Sequence, residues 1–318
     1  MTVPRYQPML ATSWPDPFSD PGWSFEVKWD GVRTLLYCDE RGVELRSRTG
    51  REVTSRYPEI VSAGLARTAV IDGEIVAFDS SGRPSFGLLQ GRMNLTGAGR
   101  IAAIASETPV TFMAFDLLYL GESDLTTLPW EERRARLEGL ALEPPLVTAD
   151  VMAGAGESLW EFVEQRSLEG MVAKRHGSPY RPGLRSSDWR KIARVQQVRA
   201  VVGGFTPGEG GRSGSFGSLL LGLVSDDGLR WIGAVGTGFD EHALREIRAA
   251  LDHMTIPECP FLPDRELPRQ ATWVEPALVA IVEFKEWTAG PRLRAPSFKG
   301  FGDVAVAAVT WEAEGPDR

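Results

Sequence analysis

The chain has 318 residues, 42% apolar and 25% charged, a length that favours two ordinary domains and a composition that excludes fibrous and disordered classes. Its net charge of −8 is not the basic footprint usual in nucleic-acid binders, although binding depends on where the cations sit. Two distant cysteines, three scattered histidines, no basic-then-apolar leader and no apolar run of membrane length argue against a zinc site, a secreted protein and a membrane protein, and predict the cytoplasm.

In chain order, "WSFEVKWDG", "TLLYCDERGVELRSRTG" and "AVIDGEIVAFDSSG" alternate or run apolar and stop at turn residues, as strands do. "TFMAFDLLYL" is a nearly continuous apolar run, which predicts a strand buried on both faces. Two amphipathic helices follow, "PWEERRARLEGL" with Pro129 near its start and "ESLWEFVEQRSLEG" ending at Gly170. "KIARVQQVRAVV" reads as the crossing between domains. Beyond it lie short strands joined by Gly-rich turns, one helix "DEHALREIRAALDHM", and the strand region "TWVEPALVAIVEFKEW", a pattern that predicts a small β-barrel with an OB-fold as the leading option. "GEGGRSGSFG" lacks the lysine and following helix of a phosphate-binding loop. It reads as a hairpin loop, or less favourably as a DNA-backbone contact through Arg212.

The cations are unevenly divided: five lysines (Lys28, Lys174, Lys191, Lys285, Lys299) against thirty arginines. Arginine stays protonated, whereas lysine can lose a proton and become a nucleophile, so a lysine kept in such a chain is a chemical candidate. Lys28 stands in a strand-like stretch, where lysine is depleted. Lys28 and Asp30 share a face, Gly31 permits a sharp exit and Arg33 follows. By itself K-x-D-G-x-R reads equally as an anion site at a strand end or as a surface hairpin with an ion pair.

Glu26, Lys28, Asp30, Gly31 and Arg33 form E-x-K-x-D-G-x-R, which resembles the nucleotidyl-transfer motif of ATP-dependent DNA ligases and capping enzymes. The family's other elements follow in order: "SRTGRE" with Arg48, "IDGEIVAFD" with Glu74, "FMAFDLLYL" with Phe115, "EGMVAKR" with Glu169 and Lys174, and "DWRKIAR" with Lys191. The resemblance implies an α+β adenylyltransferase domain of ATP-grasp-like antiparallel sheets over residues 1–196, then a C-terminal β-barrel OB-fold domain over 197–318. It implies Lys28 as the nucleophile that takes AMP from ATP, and Glu26 accepting from the adenine amino group with Phe115 against the ring. Arg33, Arg48, Lys174 and Lys191 complete the nucleotide-binding set, with Lys174 and Lys191 toward the leaving pyrophosphate. Glu74 and Glu169 are the implied ligands of Mg²⁺ or Mn²⁺, and Glu169, read as a helix end beside the negative end of the macrodipole, gains support from that position.

The implied partner is nicked duplex DNA, sealed between 5′-phosphate and 3′-hydroxyl; the "PMLA" opening and "PSFKG" resemble small bacterial ligases, including those of end-joining repair. A monomer working at the nucleoid with other repair proteins is the expectation. Two departures stand out. Ala193 occupies the second lysine position of W-x-K-x-K, with Arg194 one place later, and Gly302 stands where the C-terminal element "RLRAPSFKGFGDVAV" carries an arginine. In the family that element orients pyrophosphate, so Arg294 or Lys299 would have to compensate. The competing readings are a non-catalytic nick-binding or scaffolding protein and an RNA ligase or capping enzyme.

Overall fold

The computed structural model describes residues 3–65, 67–93, 95–288 and 290–316. The chain divides into two compact units, Met1–Arg194 and Val195–Arg318. No helix among the described residues is long and apolar enough to cross a membrane.

The first unit contains two sheets. One runs in the order Leu10–Ser13, Arg185–Ala193, Gly170–Arg175, Trp23–Val27, Met152–Ala153. Its first pair is parallel and the rest are antiparallel. The other runs Gly42–Ser47, Val32–Asp39, Ala69–Ala77, Val110–Leu120, Ser123–Asp124, with Leu146–Thr148 joining Val110–Leu120 in parallel. The period of two places alternate residues on opposite faces. Leu35 and Tyr37 therefore join a core shared with Met9, Tyr180 and, from the first sheet, Trp189, whereas Leu36 and Cys38 join the core on the second sheet's other face. The rear of the first sheet buries Trp23 and Phe25 with Leu159 and Val163 of the helix Gly156–Gln165.

Three helices, Pro58–Ala63, Phe86–Met93 and Ala98–Glu107, add to the two read from the sequence, Trp130–Glu138 and Gly156–Gln165. The second of these stops earlier than Gly170. Ser167 has a φ of 52°, a left-handed conformation that cannot continue a helix. Glu169 consequently sits at the entry of the strand Gly170–Arg175 and not at a helix end, and the macrodipole argument for it falls away.

The second unit is a six-stranded antiparallel sheet in the order Gly228–Val235, Phe216–Ser225, Gln196–Pro207, Thr272–Phe284, Thr255–Ile256, with Ser297–Phe301 on Thr272–Phe284. It curls back on itself through backbone bonds from Leu293 N–H to the Ile232 carbonyl, 3.0 Å, and from Phe298 N–H to the Thr237 carbonyl, 2.9 Å. This is the OB-type barrel, with the helix Glu241–His253 capped by Asp240, whose carboxylate accepts from the Ala243 N–H at 2.7 Å. Arg212 of the glycine-rich loop donates to the Gly236 carbonyl at 2.7 Å, binding that loop to the barrel wall.

Candidate active site

The strands Trp23–Val27 and Gly170–Arg175 run antiparallel with Glu26 opposite Val172 and Ser24 opposite Lys174. Lys28 lies one residue past its strand, and its N–H still reaches the Gly170 carbonyl at 2.9 Å. Two lysine–glutamate pairs result, each joining one strand to the other. Lys28 Nζ meets Glu169 Oε2, with the lysine side chain 23% exposed. Lys174 Nζ meets Glu26 Oε1 at 2.8 Å, and both are sealed from solvent.

Two glycines allow this closeness. A Cβ on Gly31 would stand 2.2 Å from the Ile75 carbonyl and 2.9 Å from Glu74 Cγ, so the turn after Lys28 passes against the strand of Glu74 only as glycine. Gly170 has a φ of 147°, and a Cβ there would meet the Ile192 carbonyl at 2.2 Å. It turns the chain from Glu169 into its strand.

Lys174 also donates to the Phe115 carbonyl at 2.8 Å and lies between the Phe115 and Trp189 rings, 4.7 and 4.4 Å from their centroids. Such a box favours the ammonium, while burial pushes Lys174 down and Glu26 up from their ordinary values. Lys174 is thus paired with Glu26 and packed against the two aromatic rings.

Arg33 is clamped by Asp72 through two bonds, Nε to Oδ1 at 2.7 Å and Nη2 to Oδ2 at 2.6 Å, with its guanidinium 4.8 Å from the Phe115 centroid. Burial opposes its charge, but Asp72 outweighs it and holds Arg33 charged above its ordinary range. Tyr180 donates to Asp72 Oδ2 at 2.6 Å and accepts from the Met9 N–H at 2.8 Å. Glu74 is the cross-strand neighbour of Arg33. Burial above all, aided by Glu169 and Asp72 and opposed by Arg33 and Lys28, raises it to about 8.

Two half-buried carboxylates, Glu74 and Glu169, the second raising the first, are the hard-oxygen set that Mg²⁺ takes together with phosphates. Among the described residues no group of three or more such side chains makes a metal cage by itself. Arg48 is exposed, with its N–H on the Arg33 carbonyl at 3.0 Å. Lys191 lies opposite Val172 in the strand Arg185–Ala193.

Lys28, Glu169, Glu74 and Arg33 therefore form one electrostatic group, and Glu26, Lys174 and Phe115 a second around the same strand pair. Sequence reasoning passed over Asp72, Trp189 and Tyr180. Asp72 and Trp189 stood inside quoted motifs, but nothing in the pattern showed that they brace Arg33 and Lys174. Of the departures, Ala193 lies opposite Gly170, and Arg194, beyond the strand, donates its N–H to the Glu169 carbonyl at 2.9 Å. Arg294 is paired with Glu286, and Lys299 with Glu283 at 2.6 Å.

Residues 8–193 match the family model described as the ATP dependent DNA ligase domain, and residues 212–303 match the ATP dependent DNA ligase C terminal region. The chain is 41% identical over 317 residues to the multifunctional non-homologous end joining protein LigD of Mycolicibacterium smegmatis, covering 96% of this chain and 40% of that protein. It is 38% identical over 248 residues to DNA ligase C of Mycobacterium tuberculosis, covering 74% and 67%. The crystal structure of the ligase domain from M. tuberculosis LigD aligns with a TM-score of 0.54 at 37% identity, covering 96% of this chain and 98% of that one. The chain spans about 40% of the length of the end-joining relative from M. smegmatis.

Proposed function

The chain belongs to the ATP-dependent DNA ligase family, and from that premise we propose that it seals 5′-phosphate/3′-hydroxyl nicks in duplex DNA through a lysyl-AMP on Lys28, in the service of end-joining repair. The observation that carries the reading is the placement of Lys28 against Glu169, two residues along the chain from the sealed Glu26–Lys174 pair beneath Phe115. One strand end thereby offers a nucleophile and a base-reading carboxylate.

In this reading Lys28 leaves its ion pair with Glu169, gives up a proton and attacks the α-phosphorus of ATP. The nitrogen–phosphorus bond forms as the bond to the pyrophosphate oxygen breaks, an in-line displacement governed by positioning and charge. As adenine enters, the Glu26–Lys174 pair opens and Lys174 leaves the Phe115 ring, so that Phe115 offers the base a flat apolar face and Glu26 accepts from its exocyclic amino group. Arg33, fixed by Asp72, holds its charge beside the ring, and Arg48 and Lys191 serve the ribose and phosphates. A divalent cation, Mg²⁺ or Mn²⁺, held by Glu74 and Glu169 would supply positive charge to the phosphate oxygens. AMP then passes to the 5′-phosphate of the nick, and the 3′-hydroxyl displaces it.

Incubation with ATP labelled at the α-phosphate and Mg²⁺, followed by a denaturing gel, tests this. A covalent label that is absent from Lys28→Ala and discharged by nicked DNA with strand sealing is expected. An unlabelled wild type, shown by mass not to carry AMP already, rejects the reading in favour of a nick-binding protein.

A further inference from the structure

One hydroxyl stands behind both anchors of Arg33. The guanidinium gives its Nε hydrogen to Asp72 Oδ1 at 2.7 Å, and from Nη2 it donates to Asp72 Oδ2 at 2.6 Å and to the Met9 carbonyl at 3.2 Å. Arginine has five N–H donors, so the two on Nη1 are those it can offer a ligand, and the side chain is 20% exposed. Where Nη1 points depends on the two acceptors. An Asp carboxylate turns broadly about its terminal torsion, and Met9 stands just before the strand Leu10–Ser13. Tyr180 ties both down. Its hydroxyl donates at 2.6 Å to Asp72 Oδ2, the same oxygen that takes Nη2, and accepts at 2.8 Å from the N–H of Met9, the residue whose carbonyl takes the other Nη2 bond.

Tyr180 is itself fixed. It is buried, its N–H donates to the Thr126 carbonyl at 2.8 Å, and its ring meets that of Trp189 edge-on with centroids 5.7 Å apart. The Arg133 guanidinium lies 5.8 Å from the ring centroid and donates to the Ser178 carbonyl at 2.9 Å. Phenylalanine would fill the same space, so what tyrosine adds here is the hydroxyl and its two bonds. Burial and Asp72 push that hydroxyl well above its ordinary value, which keeps it a donor.

We propose that Tyr180 is a positioning residue of the nucleotide site: its hydroxyl holds the Asp72 carboxylate and the Met9 peptide in the arrangement that turns Arg33 Nη1 toward the bound nucleotide. This rests on Arg33 being a nucleotide-binding residue, as in the function proposed above. Arg33 and Asp72 belong to the second sheet of their unit, whereas Tyr180 lies between Gly170–Arg175 and Arg185–Ala193 of the first. The Tyr180–Asp72 bond therefore sets Arg33 against the sheet that carries Glu26 and leads into Lys28.

Calorimetric titration with α,β-methylene-ATP and Mg²⁺ tests this, since Lys28 cannot cleave that analogue and binding is read without chemistry. Tyr180→Phe keeps the ring and loses both bonds; its Kd is expected to rise about tenfold, as for a weakened hydrogen bond from a charged group. Arg33→Ala should raise Kd at least as much. Adding Tyr180→Phe to Arg33→Ala should then change Kd by less than about twofold, because the group it positions is gone. An unchanged Kd in Tyr180→Phe overturns the proposal. So does the same loss with and without Arg33, which marks a general loosening of the pocket. Where Tyr180→Phe does not fold, a crystal structure of the wild type with the analogue decides. Arg33 Nη1 within hydrogen-bond distance of the nucleotide, with both Tyr180 bonds kept, supports the proposal; a nucleotide out of its reach, or either bond broken, overturns it. A wild type that shows the expected binding pattern but forms no lysyl-AMP in the gel assay keeps the proposal and rejects the ligase reading.

Discussion

Both units have apolar cores, but only the first adds buried ion pairs to them. In the first, Glu26, Asp72, Arg92, Asp116, Arg133, Arg134, Lys174 and Asp188 are buried, and each is paired with an opposite charge. In the barrel, no polar or charged residue among the described residues is buried; its interior is Val, Leu, Ile, Phe, Trp and Ala. A buried ion pair is weak evidence for stability, since apolar residues of similar size often do as well. The barrel shows that this chain can build such a core. The charges of the first unit are therefore better understood as fixing orientation, at Arg33, Phe115 and Lys174, than as holding the fold together.

The largest effect should come from the site itself: Lys28→Ala is expected to abolish the covalent label in the gel assay while leaving the melting temperature near that of the wild type, because the side chain is partly exposed. Next is a matched pair. Asp116→Ala strands Arg133 in the interior and should cost about 3–5 kcal/mol, whereas Leu220→Ala in the barrel should cost about 2–5 kcal/mol by leaving a cavity. Urea unfolding measures both. The distinguishing result is the repair: Asp116→Leu with Arg133→Met should regain most of the stability but not the labelling rate. Full recovery of both would break the contrast drawn between the units.

A smaller effect is expected at Asp188. Burial raises its carboxyl, but the hydrogen bonds from Arg175 and Ser186 and the charges of Arg175 and Arg181 overcome this and leave it below its ordinary value of 3.8. A depressed carboxyl contributes stability above its unfolded value and loses that contribution as pH falls through the folded one. Asp188→Asn should accordingly flatten the decline in urea midpoint below about pH 4 for the first unit, with the barrel's transition unchanged. Smallest of all is Gly302→Arg. A Cβ there meets only ordinary contacts, the nearest at 3.5 Å from Ile281, so stability should stay within about 0.5 kcal/mol. Initial rates of labelling should rise, since the substitution returns a cation to the C-terminal element.

Much of this was open to sequence reading because motif residues are constrained by chemistry and strands by a period of two. Lys28, Glu26 and Phe115 stood in order along the chain, and the barrel's strands were set off by their glycine turns. What lay beyond reading was which charge answers which. That Lys28 faces Glu169 and Lys174 faces Glu26 depends on the antiparallel register of two strands about 145 residues apart in sequence. The three short helices were missed for different reasons: Phe86–Met93 carries two glycines and little apolar periodicity, Pro58–Ala63 is under two turns long, and Ala98–Glu107 is ten residues rich in small alanines with one glycine. Their helicity comes from packing, with Leu89, Ile60 and Ile101 as buried contacts, not from local propensity.

The barrel's apolar interior also bears on temperature. Apolar burial loses strength on cooling, and the desolvation penalty of buried ions falls on warming. Cooling therefore takes most from the Val195–Arg318 unit, and warming gives something back to the charged interior of Met1–Arg194. In a calorimeter the cold limit of this chain should belong to the barrel.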